Sequence, residues 1–231
     1  PVPGFLRVAE LEIPEILTRT VLFTVPVMKT HNKTVMTGAI KNQWGCLPKF
    51  RHNFHPVVDE VLCDLSSVLR PAFAVCDATV CLEGNGPKSG RPKICNLLLA
   101  SRDPVALDTV ASRIMALDRI TIRHLDLCAA AGIGIRDPKL IRTVDRRGQE
   151  RLELPRIPFT PARHNTVSQV ETLLRSSAVR RLVFQSPVLT PLCWGARFWY
   201  YIWYYLICGR KLRDGVLRAR PWGVPPFGGR P

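Results

Sequence analysis

The residue types best suited to chemistry gather between positions 29 and 108. Lys29, His31 and Lys33 alternate within one short stretch, and Lys41-Asn42 follows with a further cation and a carboxamide. Closely spaced lysines bind anions, and an imidazole among them can move a proton near neutral pH. We assign Lys29 and Asn42 to ligand binding and His31 and Lys41 to catalysis, against the alternative that the stretch is a solvated loop at a strand end. Asp77 and Glu83 flank the end of an apolar run, and Asp103 and Asp108 surround the start of another. Carboxylates converging from separate segments hold a hard divalent metal, and Asp77 with Glu83 can also manage protons. Asp103 carries a second explanation, because an Asp before Pro104 at the head of a helical pattern is a helix cap.

Between the two carboxylate pairs lies Gly84-Asn85-Gly86-Pro87-Lys88-Ser89-Gly90. Aligned on Lys88-Ser89, the phosphate-loop pattern requires glycine where this chain has Leu82 and Pro87. The dinucleotide pattern fails too, since Ser89 stands where its third glycine belongs. What survives is a close-approach loop in which Gly84, Asn85, Gly86 and Lys88 cradle an anionic or carboxylated ligand, or else a simple turn. The sequence contains no GxSxG elbow and no HExxH zinc motif.

The eight cysteines, at 46, 63, 76, 81, 95, 128, 193 and 208, form no CxxC pair. That spacing argues against an iron–sulfur cluster within the chain. Apolar neighbours around Cys76 and Cys128 predict buried free thiols, whereas Cys46 and Cys81 are weaker candidates for nucleophile or ligand. Reduced thiols fit a cytoplasmic or cytoplasm-facing protein better than a secreted one.

The elements that must position these groups alternate. Leu22–Val27 reads as a strand with Lys29–Lys33 following at its end, Phe73–Cys81 as a second strand and Ile94–Ala100 as a third. Pro56, Asp59 and Glu60 favour the start of a helix carrying Val57, Val61, Leu65 and Leu69, which Pro71 stops. Asp103-Pro104 opens another, with Ala106, Val110, Ile114 and Leu117 inward, and a shorter one runs around Ile122–Ala131. The pattern predicts an α/β fold, with a mostly parallel or mixed sheet flanked by helices. Beyond Asp137 the signal weakens, to a hairpin around Arg146–Gln149 and a short helix over Asn165–Ser176. We divide the chain into an α/β domain over 1–185 and an aromatic, basic C-terminal appendage over 186–231.

The net charge of +15 is uneven: residues 1–120 hold 14 Lys/Arg against 11 Asp/Glu, and residues 121–231 hold 19 against 7. Such basicity attracts anionic lipid, acidic partners or nucleic acid, but no zinc-finger spacing or RNA-binding aromatic motif supports the last. The appendage contains Trp194–Cys208, dense in Trp and Tyr, followed by Arg210, Lys211 and Arg213. It suits docking on protein, or a membrane-peripheral position on an anionic surface, better than a span, because Arg197 interrupts the apolar run.

Taken together, Lys29-Thr30-His31, Gly38-Ala39-Ile40-Lys41-Asn42, Asp77-Ala78-Thr79-Val80, Glu83-Gly84-Asn85-Gly86-Pro87 and Asp103-Pro104-Val105-Ala106-Leu107-Asp108 resemble the DUF362 family of uncharacterised proteins, from about Val21 to Asp137. The resemblance implies a missing upstream part, because family members carry additional sequence there. It also implies a redox role, since many members are associated with iron–sulfur ferredoxin modules. As this chain lacks their cysteine motif, the cluster would be supplied by an external ferredoxin-like electron donor or by the missing upstream region. The expected function is a redox or metal-assisted enzyme acting on a small polar or anionic substrate. The alternative is a noncatalytic binding protein whose tail docks on membrane or protein.

Overall fold

The computed structural model describes residues 11–86, 88–150, 153–162, 169–170, 173–174, 183 and 189–219. Its centre is a mixed sheet. Strand β4 (Phe73–Glu83) is flanked on one edge by β1 (Phe23–Thr24) and β2 (Val27–His31), both parallel to it, and on the other by antiparallel β5 (Arg91–Ser101). Short β3 (Val35–Thr37) turns back antiparallel against β2. The expected α/β architecture is therefore present, with both parallel and antiparallel pairings.

The run predicted as one strand over Leu22–Val27 is divided at Val25-Pro26. Proline has no N–H for the ladder, yet the Pro26 carbonyl accepts from Asp77 N at 2.8 Å, so the chain stays beside β4 and resumes as β2. Consequently Lys29 and His31 lie within a strand and not in the loop beyond it. Strand alternation buries Met28 and Thr30 and turns Lys29 and His31 to the other side.

One face of the sheet packs on helices. Helix α3 (Val58–Val68) buries Val58, Val61, Leu62 and Leu65, at the helical spacing expected from its sequence, in the same core as Ala74, Cys76 and Ala78 of β4. It starts after Pro56, which lies in a 3-10 segment, Lys49–Val57. Helix α4 (Pro104–Ile114) follows β5, and α5 (Arg123–Ala130) closes the layer, with Ile114, Leu117, Ile122, Leu125 and Cys128 buried. The opposite face exposes Phe23, Val25, Val27 and Leu98. Around Arg146–Gln149 the hairpin is reduced to a turn closed by one Val144–Glu150 bridge. Of the helix expected over Asn165–Ser176, only residues 169–170 and 173–174 are described, and all four are helical; the tail beyond Ala219 lies outside the described residues.

Toward the C-terminus, helix Leu189–Phe198 continues through a π-helical stretch, Trp199–Gly209, into helix Arg210–Ala219. Among the described residues no helix is long and apolar enough to cross a membrane.

Candidate functional site

The site is built around the short helix α2 (Ala39–Asn42), which follows β3 and carries Lys41 and Asn42. A single helical turn does not hold itself; here a buried carboxylate holds it. Asp108 of α4, fully buried, accepts from the Ala39 N–H at 2.6 Å and the Ile40 N–H at 3.0 Å. Burial pushes the Asp108 carboxyl up to about 6, against the opposing pull of those two N–H groups. Gly38 makes the approach possible, because a Cβ there would sit 2.5 Å from the Asp108 Cγ.

Lys41, Lys29 and His31 form one electrostatic cluster. Burial, then the charges of Lys29 and Arg51, lower Lys41 to about 7, and Asp59 opposes them. Burial and Lys88 lower Lys29. Burial, Lys41, His55, Lys29 and Lys33 lower His31 to about 2. The Lys41 ammonium lies 4.9 Å from the centre of the Trp44 ring, which stacks on His55 at 5.9 Å. An aromatic face partly replaces the water that burial removes from a cation. Like charges gathered in a half-buried place repel one another, and an anion relieves that repulsion.

The backbone engages the His31 ring. Its Nδ1 accepts from the N–H groups of Lys33 (3.1 Å) and Thr34 (3.3 Å). Those bonds need a bare Nδ1, so the ring proton sits on Nε2 and the imidazole stays neutral. Its Nε2–H is left to donate, and of Lys29, His31 and Lys41 it is Lys41 that is brought to about 7.

The four carboxylates expected to converge on a metal are each engaged elsewhere. Asp77 turns back to accept from Thr79 N at the bulge in β4. Glu83 accepts from Lys93 Nζ and Thr160 N, both at 2.9 Å; burial works against its ionisation, but those bonds outweigh it and hold it below the usual carboxylate range. Asp103 caps α4 through Val105 N and Ala106 N, as its sequence position suggests, and also accepts from Ile135 N. Asp108 holds α2. Among the described residues no three His, Cys, Asp or Glu side chains come together as a metal-holding group. The physical reason is that short acidic side chains next to free backbone N–H groups satisfy them first.

The glycine loop does come to the cluster. Gly84 has φ +78, a left-handed conformation that suits glycine. Gly86 packs on the Thr30 carbonyl so closely that a Cβ would meet it, and Thr30 Oγ1 donates to the Gly84 carbonyl at 3.0 Å. Lys88 beyond it reaches Lys29 electrostatically. Asn85 is exposed, and Asn42 points its amide away, to Thr24 Oγ1 at 3.0 Å.

With β2, α2, the glycine loop and the α4 cap in place, the motif order has its structural explanation. The chain matches the DUF362 family, a domain of unknown function, over residues 2–113. The DUF362 match thus covers the sheet, α2, α3 and α4 and stops before α5. The chain is also 34% identical over 116 residues to a thylakoid-associated protein of Synechocystis sp., an alignment covering 47% of this chain and 36% of that protein. The chain therefore matches little more than a third of that relative's length. No solved structure matches it.

Arg51, His55 and Asp59 join this site from beyond the stretch that carries Lys41, Asn42 and Trp44. Trp44 and His55 face each other across a long 3-10 turn, a spacing without periodicity to betray it. Gln43, buried between Lys41 and Trp44 in sequence, has no hydrogen-bond partner among the described residues on either amide atom. Of these, an aromatic residue three positions after a lysine was the one signal visible in advance.

Proposed function

We propose that the DUF362 region binds a small anionic substrate between β2, α2 and the glycine loop, and that Lys41 moves a proton on it. The observation that carries this is the half-buried gathering of Lys29, His31 and Lys41, in which Lys41 is brought to about 7. A carboxylate or phosphate there neutralises the repulsion. Lys29, with Lys88 beside it, anchors the charge, and His31 donates from Nε2. A general acid or base works best when its pKa lies near the operating pH. A redox or metal-assisted step at this place would draw its electron donor or cation from a second component. An external ferredoxin-like protein is the donor the family resemblance implies.

Calorimetry with inorganic phosphate, pyrophosphate and succinate tests the proposal. Binding of at least one, weakened about tenfold or more in Lys29→Met and in Lys41→Met, corresponds to about 1.4 kcal/mol per contact. In wild type at pH 7.5 the bound anion raises the Lys41 pKa, so binding takes up a proton from the buffer. No heat with any of the three, or equal affinity in both variants, overturns the assignment.

A further inference from the structure

The segment Leu189–Ala219 has two differently made sides. On one, Tyr204 donates from its hydroxyl to the Ser89 carbonyl at 3.0 Å, and Lys88 stands 5.5 Å from the Tyr200 ring and 4.7 Å from the Tyr201 ring. Tyr200 and Tyr204, half-buried, rest on the glycine loop, while Tyr201 meets Lys88 from the exposed edge of that side. On the other, Trp194, Phe198, Ile202 and Leu206 recur every fourth residue, and each is between 48% and 64% exposed. Spacing by four through α-helix and then π-helix keeps them on one stripe. The same segment carries Arg197, Arg210, Lys211, Arg213 and Arg218 against one carboxylate, Asp214, with the four arginines and the lysine all exposed. An exposed apolar stripe of this length calls for a partner. Its chemistry selects one: Trp and aliphatic side chains beside arginine and lysine match the headgroup boundary of a negatively charged bilayer, where rings sit at the interface and cations meet lipid phosphate. The segment lies on such a surface instead of crossing it, as no described helix is long and apolar enough to span.

We infer that Leu189–Ala219 docks the protein on an anionic bilayer surface through the Trp194–Leu206 stripe, with its tyrosine side holding the glycine loop close to that surface. Docking is independent of the proposed anion site, so either can fail alone.

Flotation of the full chain with vesicles of phosphatidylcholine alone, and of phosphatidylcholine with phosphatidylglycerol, tests it. The chain is expected to float with the anionic vesicles only and to be released at high salt. Phe198→Ser with Leu206→Ser, and separately Arg210→Glu with Lys211→Glu, are each expected to lower the bound fraction about tenfold or more. Circular dichroism verifies that both retain their fold. In the unaltered chain, brominated phosphatidylcholine mixed into the anionic vesicles should quench the tryptophan fluorescence. Recovery in the soluble fraction with anionic vesicles, equal flotation of both variants and the unaltered chain, or absence of quenching overturns the inference.

Discussion

The clamp between Asp108 and α2 makes a quantitative prediction through Gly38. In Gly38→Ala the new methyl would fall 2.5 Å from the Asp108 Cγ and 2.8 Å from Oδ2, where carbon contacts of roughly 3.5 Å or more are tolerated. The carboxylate must retreat by about 1 Å, which carries its bonds to Ala39 N and Ile40 N, now 2.6 and 3.0 Å, out of range. Hydrogen bonds to a charged group contribute about 1.5–3 kcal/mol each, so loss of the two should cost about 3–6 kcal/mol. Asp108→Ala orphans the same two N–H groups at about 1–3 kcal/mol each but also removes a desolvated carboxylate. The burial that lifts its pKa to about 6 offsets part of that loss, roughly 3 kcal/mol for a two-unit shift. In the double variant the methyl occupies the space that the carboxylate has left. Its stability should therefore equal that of Asp108→Ala, a departure from additivity as large as the cost of Gly38→Ala alone, about 3–6 kcal/mol. Urea unfolding of the four proteins measures the cycle, and a parallel titration of Lys41 reports whether α2 has moved. Additivity within about 0.5 kcal/mol would show that the two residues do not oppose each other and would refute the clamp.

Two titrations follow from the cluster. Because the folded His31 pKa lies far below its unfolded value of 6.5, the unfolded chain binds more protons below pH 6.5, and stability falls on acidification by up to about 1.4 kcal/mol per pH unit. Its ring resonances should stay at their neutral position from pH 7.5 to 5; movement with a midpoint near 6.5 would contradict the Nδ1 bonds described above. Lys41 has the same sign in a higher window: between about 7 and 10.5 the unfolded chain again holds the extra proton, so stability should rise from pH 7 to 9 by about 1–3 kcal/mol. Lys41→Met should be more stable than wild type at pH 7 and lack much of that rise in urea unfolding. An unchanged slope would place Lys41 outside the desolvated cluster.

The sequence by itself determined the alternation of strands and amphipathic helices, the Asp103 cap, and the order of motifs that carries the DUF362 match, because periodicity, capping and turn chemistry are local. It also located Lys29, His31, Lys41 and Lys88 as the cationic candidates, and it excluded a phosphate loop by two wrong residues. Only the tertiary structure decided what these groups do. In the function we propose, Lys41 and not His31 moves the proton, because backbone N–H groups of a tight turn meet the imidazole nitrogen and burial beside other cations depresses the lysine. Asp103 and Asp108, five residues apart, look alike in sequence, yet one caps its own helix and the other reaches a helix nearly seventy residues earlier in the chain. The division of labour among charged groups is fixed by which backbone hydrogen-bond donors and which other charges each meets in space. Residue type and spacing set the cast of candidate groups, and packing assigned their parts.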